Sequence, residues 1–273
     1  MESRIAAALG AAYGPVAVML AAEKPEGALE FKPGRWGCVM FLFANAAKGK
    51  TAAFSAETYG CWGGGVGLGF GNAYLRFPGG VDCFAYFLSS GNAGWEKGRQ
   101  VGEALKAQAG KEFARDFLEG EGYLKTPALV HRWLEELPIR ETGSRFVLFK
   151  PLAEVDPEKE APATVVFLAD PDQLAALVIL ANYARGGMEN VIIPWAAGCQ
   201  TIGILPFREG RSEKPRAVVG LTDISARKYV RPLLGGDLLT FAVPWRLFAE
   251  MEENVPGSFL EKPTWQALVR AKR

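Results

Sequence analysis

One segment in the second half of the chain constrains the fold most, because it has the pattern of a strand, a helix and a second strand. The β-branched and apolar run at residues 164–169 is typical of a central strand. Asp170 and Pro171 predict the start of a helix, with the aspartate as N-cap and the proline at the first helical position. We expect that helix over residues 172–185 and a second strand at 191–193. Such a unit usually places its two strands parallel in one sheet.

The remaining pattern predicts an α/β (α+β mixed) fold, in which a mixed β-sheet is flanked by helices and the β-α-β unit lies in the C-terminal half. Further strands are expected at residues 16–20, 51–54, 145–150, 216–221 and 238–243. Helices are expected at residues 3–12, 38–48, 95–109, 112–119, 127–137 and 244–253, with a last one from residue 264, and Gly110 is expected to separate two of them. Residues 81–88 fit a strand or a helix.

The length of 273 residues fits one large domain or two small ones. The acidic, proline-containing segment at 151–162 is the best candidate for a boundary between two lobes. We nevertheless expect a single domain over residues 1–273, because cysteines on both sides of that segment are candidates for one site.

The composition excludes some classes of function. The net charge is +1, so nothing drives the whole chain toward nucleic acid or an anionic membrane. The longest apolar runs are far shorter than the ~20 residues that span a bilayer, and the N-terminus lacks the features of a signal peptide. We therefore expect a cytoplasmic protein whose partner is a small molecule or an electron-transfer protein, and we leave a homo-oligomer open.

A glycine-rich segment at residues 57–71 surrounds one cysteine, Cys61. Its glycines alternate with apolar residues, which favours an ordered loop around a site over a flexible linker. The segment lacks the glycine spacing of a dinucleotide-binding turn, and the Lys-Gly-Lys-Thr sequence at 48–51 lacks the preceding glycine of a P-loop. What remains is a backbone at Gly63, Gly64 and Gly65 whose N–H groups are candidates for binding an anionic group of a cofactor.

The four cysteines, Cys38, Cys61, Cys83 and Cys199, form no C-x-x-C pair, so their spacing alone is a weak metal signal. Three of them directly follow a glycine, which places them at loop or element-end positions where ligands and nucleophiles tend to lie. Cys38 is expected at the N-terminus of a helix, where the dipole favours a thiolate. Metal ligation and free thiols both remain open on this evidence.

A set of short motifs runs through most of the chain. The first half has Pro-Val-Ala-Val at 15–18, Gly-Cys at 37–38, Ala-Lys-Gly-Lys at 47–50, Glu57, Cys61 and Leu-Gly at 68–69. The second half has the segment 174–187, Gly-Cys at 198–199, Ser-Ala-Arg at 225–227, Gly-Asp at 236–237 and Val-Pro at 243–244. In these motifs the chain resembles the uncharacterised family called domain of unknown function 169, which occurs in archaea and many anaerobic bacteria. The resemblance implies that Cys38, Cys61 and Cys199 are the shared cysteines. Cys83 has no place in the pattern, and Trp62 stands where the family has a proline.

The leading hypothesis is a redox-related protein in which Cys38, Cys61 and Cys199, with Cys83 as a candidate fourth ligand, bind a [4Fe–4S] cluster. Zinc is the competing metal, and an iron–sulfur oxidoreductase is the implied enzyme. Glu57 is then a candidate proton donor and Arg227 a candidate anchor for an anionic substrate.

Two other hypotheses use no metal. In the first, the glycine-rich segment binds an anionic small molecule and the cysteines only pack. In the second, Cys38 is the nucleophile of a thiol enzyme. A histidine-based triad is disfavoured, because His131 is the only histidine in the chain.

Overall fold

The computed structural model describes residues 1–108 and 111–271. Contacts between Cα atoms divide the chain into two units, one formed by Met1–Gly71 with Arg140–Arg273 and the other by Asn72–Ile139. The expected boundary at 151–162 lies inside the first unit, and the expectation of a single domain stays a prediction. The expected break at Gly110 and the helix end at Ala109 lie outside the described residues.

The first unit contains one sheet of seven strands in the order β2-β3-β1-β4-β7-β6-β5. The strands are β1 (Val16–Ala21), β2 (Ala52–Phe54), β3 (Phe146–Pro151), β4 (Thr164–Ala169), β5 (Val191–Ile192), β6 (Ala217–Gly220) and β7 (Leu239–Pro244). Neighbouring strands pair antiparallel, except that β5 and β6 pair parallel. The strands of the β-α-β unit, β4 and β5, run in the same direction, but β7 and β6 lie between them.

The α-helices are α1 (Arg4–Leu9), α2 (Val39–Ala46), α3 (Trp62–Gly67), α4 (Gly80–Phe87), α5 (Glu96–Gln108), α6 (Lys111–Glu119), α7 (Pro127–Glu136), α8 (Pro171–Asn182), α9 (Gly198–Ile202), α10 (Ile204–Glu209), α11 (Ile224–Leu234), α12 (Trp245–Glu253) and α13 (Pro263–Ala271). Short 3₁₀ segments lie at Ala73–Arg76, Asn92–Gly94, Leu152–Glu154 and Phe259–Glu261. The start of α8 follows the sequence prediction, since Asp170 and Gln173 form a reciprocal capping box ahead of Pro171.

Helices cover both faces of the sheet, because the central strands have apolar side chains on both faces. In β1, Val16 and Val18 pack into a core with helices α2, α9, α10 and α11. Ala17 and Met19 of the same strand pack into a second core with α1, α8, α12 and α13. The predicted mixed α/β fold is therefore confirmed, and the site described below lies on the first of these faces.

The glycine-rich segment was expected to be a loop, but residues 62–67 form helix α3, so that expectation is wrong. Residues 81–88, which fitted either structure, lie mainly in helix α4. Among the described residues, no helix has both the length and the apolar character needed to cross a bilayer.

The second unit is helical and contains α4 to α7. Its centre is tied together by the buried Asn92, whose amide donates to the carbonyl oxygens of Cys83 at 2.9 Å and Phe117 at 3.1 Å. Cys83 is itself buried, and a Cβ added to Gly79 would lie 2.2 Å from its sulfur. Cys83 therefore packs as a core residue of this unit.

Candidate thiol site

Three cysteines of the first unit lie at the beginnings of three helices. Cys38 is the N-cap of α2 and Cys61 is the N-cap of α3. Cys199 is the second residue of α9, and its thiol donates a hydrogen bond to the carbonyl oxygen of Gly63 at 3.0 Å. That bond joins α9 directly to the first turn of α3, although the two residues are 136 positions apart in sequence.

The glycines of α3 allow this helix to approach α9 closely. A Cβ on Gly67 would lie 2.8 Å from the Cys199 sulfur and 2.7 Å from the Cys199 carbonyl carbon. A Cβ on Gly203, at the end of α9, would lie 2.0 Å from the Gly67 carbonyl oxygen. Glycine is costly in a helix interior, and here the close packing of two helices explains its presence.

The two Gly-Cys pairs that start α2 and α3 also lie against each other. A Cβ on Gly60 would lie 2.3 Å from the carbonyl oxygen of Gly37, so the backbones just before Cys38 and Cys61 are in contact. The Phe31 ring lies beside both glycines, and a side chain at either one would overlap it. This contact places the backbone segments that lead into the two N-cap cysteines side by side.

Asp223 contributes a carboxyl group from a fourth helix. It is the N-cap of α11, and its Oδ2 accepts a hydrogen bond from the Ala226 amide at 3.3 Å. Its Oδ1 is buried and has no hydrogen-bond partner of normal geometry among the described residues. That oxygen faces the start of α9, where a Cβ on Gly198 would lie 3.2 Å away.

The four groups influence one another electrostatically. Burial raises the pKa of Cys38 to about 12, with a further contribution from Cys61. Burial also raises the pKa of Cys61, against the hydrogen bond that its sulfur accepts from the Gly64 amide at 3.3 Å. Burial raises the pKa of Cys199 well above its usual value, and Cys61, Asp223 and Cys38 raise it further. The pKa of Asp223 is raised by burial to about 6.

These pKa shifts determine which groups of the site are ionised at neutral pH. The predicted N-cap position of Cys38 is confirmed, but its expected thiolate does not form, because desolvation outweighs the helix dipole. All three thiols are protonated at neutral pH. A carboxyl group with a pKa of about 6 is, in contrast, ionised at neutral pH and close to the ideal value for a general base.

The predicted metal or iron–sulfur function is wrong. Within residues 1–108 and 111–271, no group of three or more histidine, cysteine, aspartate or glutamate side chains is arranged to hold a metal ion. The sulfurs are instead engaged with backbone groups, Cys199 with the Gly63 carbonyl and Cys61 with the Gly64 amide. Cys83 belongs to the other unit of the chain. The donor set therefore does not fit a [4Fe–4S] cluster, and metal-binding and anaerobic-lifestyle assignments have no support.

The other candidate site residues have different surroundings. Glu57 is exposed, and its backbone amide donates to the Ser55 hydroxyl at 3.3 Å. Arg227 donates to three backbone carbonyls, those of Leu221 at 3.3 Å, Leu238 at 3.1 Å and Gly236. Its guanidinium therefore stabilises the backbone on both sides of α11. Its role as a substrate anchor stays a prediction.

The three glycines proposed to hold a cofactor, Gly63, Gly64 and Gly65, lie in the first turns of α3. The Gly64 amide donates to the Cys61 sulfur, and the Gly65 amide donates to the Cys61 carbonyl at 3.0 Å. These two donors therefore serve the helix and its N-cap cysteine. A role in binding a cofactor stays a prediction.

Sequence reasoning missed Asp223 as a site residue. A signal was present, since aspartate is a preferred N-cap residue and Asp223 comes shortly after the predicted strand at 216–221. Nothing local, however, indicates that its second oxygen is buried beside thiols from other helices.

The fold and the site thus define a mixed α/β protein with two partly exposed thiols, one buried thiol and one carboxyl group at the starts of four helices. A family model matches residues 4–254, and the chain belongs to that family, DUF169, described as an uncharacterised ArCR family. The resemblance seen in the sequence is therefore confirmed. No curated protein and no solved structure matches the chain.

Proposed function

We propose that the chain is a thiol–disulfide exchange protein in which Cys61 is the attacking thiol, Cys38 the resolving thiol and Asp223 the general base. The observation that carries this proposal is geometric: the three groups cap the starts of three helices, and the backbones just before Cys38 and Cys61 touch at Gly37 and Gly60. After burial, which is the main cause, Asp223 also raises the pKa values of both Cys38 and Cys61. A reversible two-electron exchange needs two thiols that substrate can reach, and Cys38 and Cys61 are both partly exposed.

Cys61 is the better candidate for the attacking thiol. Its sulfur accepts a hydrogen bond of normal geometry from the Gly64 amide at 3.3 Å, whereas the Met40 and Phe41 amides lower the pKa of Cys38 without forming a capping bond of that geometry. Backbone amides stabilise a developing thiolate. Cys199 is buried and its thiol donates to the Gly63 carbonyl, which favours a packing role.

The reaction needs a disulfide as oxidant, and we propose a small-molecule disulfide, R–S–S–R. The Asp223 carboxylate takes the proton of the Cys61 thiol, and the thiolate attacks one sulfur of the substrate. The substrate S–S bond breaks, and R–S⁻ leaves with the bonding electron pair and takes the proton back from Asp223 to become RSH. Asp223 then takes the proton of the Cys38 thiol, and the Cys38 thiolate attacks the Cys61 sulfur. The bond between Cys61 and the second R–S group breaks, and this R–S⁻ leaves with the electron pair and takes the proton from Asp223 as the second RSH. The protein dithiol is oxidised to a disulfide, and the substrate is reduced to two thiols.

The surroundings of the site favour apolar R groups. Trp36, two residues before Cys38, is 53% exposed and packs against the Tyr229 ring at a centroid distance of 5.3 Å. Ile224, directly after Asp223, is 68% exposed. Exposed apolar side chains beside a reactive group are typical of a binding surface. Four free cysteines also fit a reducing compartment, and the proposal includes a cytoplasmic location.

The test mixes the reduced full-length chain with a chromogenic aromatic disulfide and measures the thiol released and the protein mass. We expect two released thiols per chain and no retained adduct. Cys38→Ser should release one thiol and retain one R group on Cys61. Cys61→Ser should release thiol much more slowly than the wild type, because it lacks the attacking thiol. Cys83→Ser, which alters a buried thiol in the other unit, is the matched control and should behave as the unmodified chain.

The base is tested in the same assay. Asp223→Asn should slow the exchange about 100-fold at neutral pH and remove an inflection in the rate near pH 6. Wild-type protein that only accumulates adducts, without forming an internal disulfide, would refute the proposal. Circular dichroism spectra of all variants separate loss of folding from loss of chemistry.

A further inference from the structure

Strand β5 forms one edge of the sheet and pairs only with β6 in the part of the chain that the structure describes. The opposite edge is covered, because the Leu29 amide donates to the Thr51 carbonyl at 2.9 Å and the Leu29 carbonyl accepts from the Ala53 amide at 2.8 Å. An uncovered edge presents backbone N–H and C=O groups that can pair with a strand of another chain.

The outward backbone groups of β5 belong to Val191 and Ile193. The Asn190 carbonyl accepts from the Ala217 amide of β6 at 3.0 Å, so it faces β6. Because successive residues of a strand direct their backbone groups to opposite sides, Ile192 also faces β6, whereas Val191 and Ile193 face away. Among the described residues, no hydrogen bond engages the backbone of Val191 or Ile193.

Four large apolar side chains beside this edge are exposed, and we call them the edge patch: Ile179 (50%), Tyr183 (49%), Met188 (93%) and Ile193 (67%). The end of α8 is tied to the start of β5, because the Asn190 side-chain amide donates to Oδ1 of Asn182 at 2.8 Å. At about 200 Å² for a whole large side chain, the edge patch exposes roughly 500 Å². A standard interface buries about 800 Å² on each partner, so the edge patch supplies more than half of what a stable dimer needs.

The sequence around β5 lacks the charges with which natural sheets keep their edges apart. Glu189 is the only charged residue from Gly186 to Trp195. Pro194 has no backbone N–H, but in the alternation of the strand it lies on the side that faces β6, so it leaves the outward groups intact.

We propose that two copies of this chain pair through their β5 strands, antiparallel and across a two-fold axis at Ile192. In this register Val191 of each copy lies opposite Ile193 of the other, and each such pair exchanges two hydrogen bonds. Opposite side chains share a face of the sheet, so Ile193 is covered on the face where Val191 packs into the second core. The same surface serves both copies, as a two-fold interface requires, and it is independent of the thiol exchange proposed above.

The test measures the mass of the full-length chain by sedimentation velocity, in reductant that prevents disulfide-linked dimers. We expect twice the 29.5 kDa of one chain. Ile193→Lys should raise the dissociation constant at least about 100-fold, because it places a charge in an apolar interface. Leu75→Lys is the matched control and should leave the dimer unchanged, since Leu75 is also 67% exposed but lies in the other unit.

A cross-linking experiment tests the register. It uses a Cys38→Ser and Cys61→Ser background, which removes the two partly exposed native thiols. Ile192→Cys should form a covalent dimer on mild oxidation, because the two copies of residue 192 lie opposite each other with Cα atoms about 4.5 Å apart. Ile193→Cys should form far less, since Val191 of the other copy lies opposite it.

Circular dichroism spectra show whether each variant folds, and Met188→Lys, at a side chain that is 93% exposed, is a second variant that should dissociate the dimer. A dimer that persists in both lysine variants, or equal cross-linking through residues 192 and 193, would overturn the proposal. A wild type that is monomeric at every concentration would also overturn it and would leave the edge patch to a different protein.

Discussion

Replacing Asp223 with asparagine should change how the stability of the protein depends on pH. Burial raises the pKa of this carboxyl from 3.8 to about 6, so the folded state binds its proton more tightly than the unfolded state. Stability is therefore lost as the pH rises from the unfolded value through the folded value. A shift of about 2 units at about 1.4 kcal/mol per unit corresponds to about 3 kcal/mol lost above pH 6.

Asparagine is a suitable replacement because it caps a helix as well as aspartate does but cannot ionise. We expect Asp223→Asn to be more stable than the wild type by up to about 3 kcal/mol near pH 8, with this advantage fading toward pH 4. The assay is urea-induced unfolding of both proteins at several pH values. Other titrating groups are the same in both proteins, so the difference isolates Asp223.

Asp170→Asn is the control, because Asp170 also caps a helix through its carboxylate but lies at the start of α8. A difference between wild type and Asp223→Asn that does not change with pH would refute the reasoning. It would mean that the Asp223 carboxylate is as well solvated in the folded protein as in the unfolded chain.

Two further substitutions test the packing of the site. Gly67→Ala should destabilise the fold by about 1–3 kcal/mol in urea unfolding, because its Cβ would lie 2.8 Å from the Cys199 sulfur. Gly186→Ala, where no atom lies within 4 Å of the added Cβ, should change stability by less than about 0.5 kcal/mol, and equal effects would contradict the packing argument. Arg227→Ala should cost about 2–4 kcal/mol because three carbonyls lose a charged donor, whereas Arg132→Ala should cost little. If Arg227→Ala did not change the free energy of unfolding, the guanidinium would be available to bind a substrate.

The start of α8 could be predicted from sequence because its determinants are local. Asp170 is the N-cap and Pro171 is the first helical residue, so the residues that start the helix are adjacent in the sequence. Strand β1 could be predicted for the same reason, since a strand that is buried on both faces has an unbroken run of apolar residues.

The glycine-rich segment shows where local reasoning fails. Its composition favours a loop, yet it forms a helix because Gly67 must pack against Cys199, which is distant in sequence. The glycine before each of Cys38, Cys61 and Cys199 predicts a position at the end of an element, and all three lie at helix starts. The error lies in reading these thiols as metal ligands, since the hydrogen bonds of two of the sulfurs to backbone groups are not visible in a sequence.

The central claim is that Cys38 and Cys61 can form a bond with each other, and the most direct measurement is disulfide mapping. The reduced full-length chain is oxidised with an aromatic disulfide, digested without reductant and analysed by mass spectrometry. The account predicts that peptides containing Cys38 and Cys61 are cross-linked as the main product, with Cys83 still a free thiol. A main cross-link that includes Cys83, or four thiols that never form an internal disulfide, would contradict it.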